Sequence, residues 1–251
     1  MYNPAFKLSP FGIPILSKEQ MERVAEKYIQ DFIPEMLVNC MPLPVDDFCE
    51  GYQKLSVDFP YLSNNGCYLG MAMFGDRTPV RLFDPETQTI RYSLYDARSI
   101  LVDRSLLEES KEEKLCFTMM HECSHQILHA NYFRRQSALD GMQLILCREE
   151  TVDKNITKPY GEWTDLDRME WQANYLASAL LMPMASVKDC MNACQLREYY
   201  ENRVQDGMYE GTAFTKAAME LVLAFRVSLT AAKIRLMSLG FTRLRKVGQC
   251  I

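Results

Sequence analysis

Histidine is scarce in this chain, with only 3 among 251 residues. Long apolar runs are missing too. None approaches the ~20 residues that a membrane-spanning helix needs. The first sixteen residues are interrupted by prolines and lack the apolar core and cleavage site of a secretory signal. The 9 cysteines are odd in number, scattered and without a C-x-x-C pair, which argues against a disulfide framework and a four-cysteine zinc site. Cys190 and Cys194, four apart, read as small buried residues rather than ligands. Basic charge is not in excess: 28 Lys+Arg against 33 Asp+Glu give −5, a poor match to a general nucleic-acid binder. No internal repeat or low-complexity segment is visible. These absences predict a cytoplasmic globular protein. Its 48% hydrophobic content is enough for one domain or two closely packed ones.

What is there is concentrated. All three histidines fall in Phe117-Thr118-Met119-Met120-His121-Glu122-Cys123-Ser124-His125-Gln126-Ile127-Leu128-His129, which contains H-E-x-x-H. On an α-helix His121 and His125 project only ~40° apart and one turn above each other, so both imidazoles can grip one Zn²⁺. Glu122, beside them, is placed to take a proton from a zinc-bound water rather than to bind the metal. Cys123 points ~200° away from His121 and reads as packing. Ser110 and Glu113 read as a capping box, and no Gly or Pro interrupts the stretch up to Arg135. A motif helix is therefore predicted over 111–131.

Around it, Ser17-Lys18-Glu19-Gln20 opens a first helix that runs to about Asp31, with Val24, Ala25, Tyr28 and Ile29 facing inward. A short helix is expected over Val45 to Leu55. Gly66 to Phe83 reads as a hairpin turning at Gly75 to Pro79, and Thr89–Tyr95 and Ser99–Asp103 read as further strands. Residues 131–164 form a mostly polar connection in which Met142 to Cys147 suits a strand. A second long helix starts at Thr164 and Asp165, runs over 165–182 and stops at Pro183. Ser186 to Tyr200 is predicted helical. Helices over 213–225 and 229–239 follow, with Gly240 closing the second. The class is α+β, predominantly helical, with a small β-sheet in the N-terminal half.

A catalytic zinc needs a third protein ligand and an open position. His129 shares the face, but it lies ~12 Å along the axis from His121, too far for bonds of ~2 Å. A packing or ligand-orienting role suits it better. Glu170, near the start of the second long helix, is the alternative donor, with Asn174 one turn later able to hydrogen-bond a ligand. Spacing alone does not choose between this and a Glu170 that merely solvates the helix start.

Together, F-T-M-M-H-E-C-S-H-Q-I-L-H and E-W-Q-A-N-Y-L-A-S-A-L-L-M-P resemble the ImmA/IrrE family of zinc metallopeptidases, with its H-E-x-x-H helix and later E-x-x-A-N-x-F-A-x-x-L-L-M-P helix. The resemblance implies that Glu170 is the third metal ligand, with His121 and His125 as the others and Glu122 as the catalytic base. It implies a zincin-like metallopeptidase core over 1–183, followed by a C-terminal helical region, 184–251, packed on it. It also implies a protein substrate, typically a helix-turn-helix repressor cut on a stress or mobile-element signal. Cys123-Ser124 stand where the family usually has Leu-Gly, and Leu176 replaces an aromatic. Neither touches a proposed ligand. Substrate contacts peculiar to this protein are expected in 131–164. Tyr160, Tyr175 and Arg235 are candidate donors to the oxyanion of a cleaved peptide, and the sequence does not choose among them.

Two rival readings belong to other classes. One is a zinc-bound regulator that holds a partner without cutting it, for which Glu122 would be superfluous. The other is DNA binding by the helix pair at 213–239 with Arg243, Arg245 and Lys246 on phosphates. The second helix of that pair offers few polar side chains beyond Lys233 and Arg235.

Overall fold

A computed structural model describes residues 2–137, 144–148, 163–193 and 210–241. They form an α+β protein, mostly helical with a small mixed sheet. The chain divides into two compact units, Met1–Met21 with Pro44–Ala177 and Glu22–Leu43 with Ser178–Ile251.

Helix α1, Lys18–Phe32, begins where the sequence places a capping box. Gln20 N–H donates to Ser17 Oγ at 3.2 Å, and Ser17 N–H donates back to Gln20 Oε1 at 2.8 Å.

In the first unit, Asp47–Tyr52 forms a π-helical turn that buries Phe48 and Cys49. Strand β1 (Ser56–Asp58), three residues that sequence periodicity does not mark, leads into β2 (Tyr68–Met73), β3 (Thr78–Asp84), β4 (Thr89–Tyr95) and β5 (Ser99–Val102). With β6 (Leu144–Arg148) they make a four-stranded sheet in the order β1-β5-β2-β6 and a separate β3-β4 ribbon. Among the described strands only β1 and β5 pair in parallel. The expected hairpin through Gly75 is therefore corrected. β2 pairs with β5 and β6, while β3 pairs with β4 from Thr78↔Tyr95 to Asp84↔Thr89. The deciding turn lies at Asp84-Pro85, where Asp84 Oδ1 accepts from the N–H groups of Glu86 (3.0 Å) and Thr87 (3.3 Å). Around Gly75, Asp76 and Asp96 instead bind the backbone of Ala97 and Arg77 and lead the chain from one sheet to the other.

Helix α2, Glu112–Ser137, lies across β2 and β5. Its entry also departs from expectation. Ser110 belongs to a 3₁₀ turn, Glu109–Lys111, closed by Lys111 N–H to Glu108 O at 2.8 Å, so it is not the N-cap. The helix outruns 131 because Tyr132 and Phe133 are buried, with Phe133 stacked on Phe74 at 4.1 Å. Gln126 fastens α2 to the sheet by donating to the carbonyls of Met73 (2.8 Å) and Ser99 (3.3 Å). Helix α3, Asp165–Leu181, starts on a cap in which Asp167 N–H donates to Thr164 Oγ1 (3.1 Å) and Thr164 donates back to Asp167 Oδ2.

The second unit contains most of α1, whose Val24, Ala25, Tyr28 and Ile29 are buried. It adds α4 (Met184–Ala193), α5 (Glu210–Phe225) and α6 (Leu229–Ser238). Ser228 caps α6 through Ala231 N–H, and Gly240 N–H to Met237 O at 3.1 Å closes it. Cys194 and residues 194–200 of the expected helix lie outside the described residues. At the centre of this unit Arg235 holds Glu22 in a two-pronged ion pair at 2.6 and 2.7 Å, while its Nε–H donates to Met182 O at 2.9 Å. Both charged side chains are buried.

Breaking a buried pair leaves one charge uncompensated, which costs about 3–5 kcal/mol, whereas replacing both partners by apolar groups can be nearly neutral. Arg235→Met should therefore destabilise the protein by about 3–5 kcal/mol, measured by urea unfolding. The double variant R235M/E22L should recover most of that loss; equal losses would show that the pair is not what holds this core.

Candidate metal centre

The H-E-x-x-H stretch sits in the unbroken middle of α2, so its histidines line up one turn apart. His121, His125 and His129 are all fully buried. Their rings follow one another, at 4.6 Å between His121 and His125 and 5.0 Å between His125 and His129. Helix α3 brings Glu170 to the first two. Glu170 Oε2 lies 3.4 Å from His121 Nε2, Oε1 lies 3.5 Å from His125 Nε2, and the two Nε2 atoms are 3.0 Å apart.

That triangle is the test of whether a metal fits. Bonds of about 2.0–2.1 Å to a tetrahedral ion place neighbouring donors about 3.3 Å apart. Separations of 3.0, 3.4 and 3.5 Å match that edge. Glu170 Oε2 is buried and, among the described residues, has no hydrogen-bond partner. A cation would satisfy it, and the two-nitrogen, one-carboxylate set suits a divalent ion of intermediate softness. His121, His125 and Glu170 are thus a possible metal site.

The charges agree. Burial works against ionisation of Glu170, but the facing His121 and His125 rings prevail and hold it well below the usual carboxylate range. Burial pushes His125 down, against the pull of Glu170, and so favours the neutral ring a metal needs. His129 is pushed down to about 3, first by burial and then by the neighbouring His125.

Glu122 has a different environment. It is fully buried, and neither carboxylate oxygen has a hydrogen-bond partner among the described residues. Burial raises its pKa to about 8; His121 opposes this and Glu170 reinforces it. Its side chain rests on β2 at Gly70, where an added Cβ would fall 2.5 Å from Oε1 and 2.9 Å from the Thr118 methyl. The strand needs a glycine there for the carboxylate to fit.

The remaining candidates are placed as follows. Asn174 Oδ1 lies 2.8 Å from His121 Nδ1, on the ring edge away from the ligand triangle. His129 is not in the triangle: its Nδ1 is 2.9 Å from His125 Nδ1, and its Nε2 is 3.0 Å from Gln172 Oε1. Tyr175, about 140° round α3 from Glu170, has its ring 5.6 Å from Trp171, which is 5.8 Å from Trp163. Arg235 commits donors to Glu22 and Met182 within the second unit. Tyr160, Arg243, Arg245 and Lys246 lie outside the described residues. Sequence reasoning passed over Gln172 and Gly70. A glycine in a strand was the available signal for the second; nothing local marked the first.

Two helices thus bring His, His and Glu to one point beside a buried carboxylate, the arrangement of a possible metal site. The family described as the IrrE N-terminal-like domain, Peptidase M78, matches residues 77–237, and this chain belongs to that family. A comparison with curated proteins found no match. Peptidase membership implies that the substrate is a protein.

Two substitutions separate the ligand triangle from its surroundings. His129→Ala should keep near-stoichiometric metal at saturation while His125→Ala loses most of it, read by elemental analysis after dialysis; equal loss from both would mean the third ligand is misassigned. Gly70→Ala should cost roughly 1–3 kcal/mol by overpacking, measured by thermal unfolding, with metal content retained. An unchanged midpoint would show that Glu122 has room to move.

Proposed function

We propose that this protein is a cytoplasmic, zinc-dependent endopeptidase that cuts another protein. The supporting observation is the His121–His125–Glu170 triangle with the edge lengths of a tetrahedral zinc site, next to an unpartnered Glu122. A zinc ion held by those three residues supplies Lewis acidity, polarising a carbonyl and lowering the pKa of water toward ~7.

The rest falls to this chain. His121 and His125 present neutral Nε2 atoms, and Glu170 brings the single negative charge. Glu122, with neither carboxylate oxygen hydrogen-bonded among the described residues, accepts a proton from the attacking water at one carboxylate oxygen and delivers it to the leaving amine nitrogen. The buried surroundings keep bulk water from competing for it.

The substrate we favour is a helix-turn-helix repressor, cleaved in a stress or mobile-element response, as the resemblance of the two motif helices to ImmA/IrrE proteins implies. A partner-binding regulator without proteolysis gives no role to Glu122. DNA binding by the C-terminal pair is weakened by Arg235, one of the two basic side chains on α6, being buried against Glu22.

Glu122→Gln tests the mechanism. Gln keeps the shape but cannot take the proton, so zinc content and thermal midpoint should hold while turnover is lost. Cleavage of a purified partner, followed on gels alongside zinc analysis, is the measurement. Undiminished cleavage with zinc bound would remove Glu122 from the chemistry.

A further inference from the structure

Behind the ligand triangle runs a chain of hydrogen bonds that leads from His125 to the N-terminal segment. His125 Nδ1 meets His129 Nδ1 at 2.9 Å, His129 Nε2 meets Gln172 Oε1 at 3.0 Å, and Gln172 Nε2 meets Pro14 O at 2.7 Å. All the participants are buried. The far end is a backbone carbonyl, which only accepts. Gln172 must therefore offer its NH₂ to Pro14, which turns its carbonyl oxygen to His129. His129 Nε2 must carry a proton to meet that oxygen. Its Nδ1 is then the acceptor, and the proton in the first link belongs to His125 Nδ1. That leaves the lone pair of His125 on Nε2, the atom 3.0 Å from His121 Nε2 and 3.5 Å from Glu170. Every direction in the chain follows from one carbonyl, and it ends in the tautomer a metal ligand requires.

We infer that His129, Gln172 and the Pro14 carbonyl form a positioning chain that presets His125 in its Nδ1–H tautomer, with its Nε2 facing the metal before the metal arrives. The Pro14 carbonyl is itself held in place. The segment folds back on itself through Ser9 N–H to Ile13 O (2.8 Å) and Ile15 N–H to Lys7 O (2.8 Å), and Gly12, Ile13 and Pro14 are buried. The N-terminal turn is thus part of the metal site without contributing a ligand. His121 is served separately by Asn174, so the two imidazoles are oriented by independent partners.

This rests on the metal-site reading, but its test does not. Long-range ¹H–¹⁵N spectra of the labelled, metal-free full chain at pH 8 report which ring nitrogen bears each proton. His125 should be protonated at Nδ1 and His129 at Nε2; the opposite assignment overturns the chain whatever any variant does. In Gln172→Leu the His125 tautomer should become mixed, and zinc affinity, from chelator competition, should fall about 10- to 100-fold. Stoichiometry at saturation and the His121 Nδ1 signal should stay unchanged. A folded Gln172→Leu with wild-type tautomer and affinity would reduce the chain to packing. If that variant does not fold, the wild-type spectrum decides alone. Failure of the wild type to bind zinc would sink the metal site and still leave the tautomer to judge the chain.

Discussion

The structure depends on burying three histidines and a glutamate in one helix. Full burial of His121, Glu122, His125 and His129 removes them from water, and an unpaired polar group in that setting is costly. The partners come mainly from one side. Helix α3 supplies Glu170 for the ring edges of His121 and His125, Asn174 for the back of His121 and Gln172 for the back of His129. Glu170 and Asn174 lie one turn apart on one face of α3 and Gln172 points away from it, so the partners for α2 come from two sides of that helix. Among the described residues, Glu122 alone of these four has no hydrogen-bond partner.

The sheet serves the same arrangement. Gln126 ties α2 to the carbonyls of Met73 and Ser99, and Gly70 lets the helix approach β2 closely enough for Glu122 to lie on the strand. The β3-β4 ribbon adds Val80 and Leu82 to a core with Leu62, Met71, Met73 and Leu101. Glu122 is thereby held between a helix and a strand rather than on a loop, which limits how far it can drift.

The second unit shows a different economy. Its centre is a charged pair, Arg235 with Glu22, rather than a wholly apolar contact. The two residues are more than two hundred positions apart and come from α1 and α6. From sequence Arg235 is a candidate donor to a peptide oxyanion, and only its partner Glu22 reveals a packing role.

Local chemistry was legible wherever it depended on spacing along one element. The H-E-x-x-H face, the capped starts of α1 and α3, the stop at Pro183 and the Gly240 cap all follow from 3.6-residue periodicity and from side chains that bind their own backbone. Geometry within the helix also placed His129 outside the ligand set. What the sequence left open was every choice between two distant partners. Glu170 against His121 and His125, Arg235 against Glu22, and Gln172 linking His129 to Pro14 each join residues far apart in the chain, and the hairpin expected at Gly75 fails for the same reason, β2 pairing with β5 and β6 instead of β3. The division at Ala177 falls inside a continuous helix, so no break in pattern marks it. Periodicity states which face a residue occupies, but which other face it meets is set by packing of the whole core. Only the tertiary structure decided those pairings.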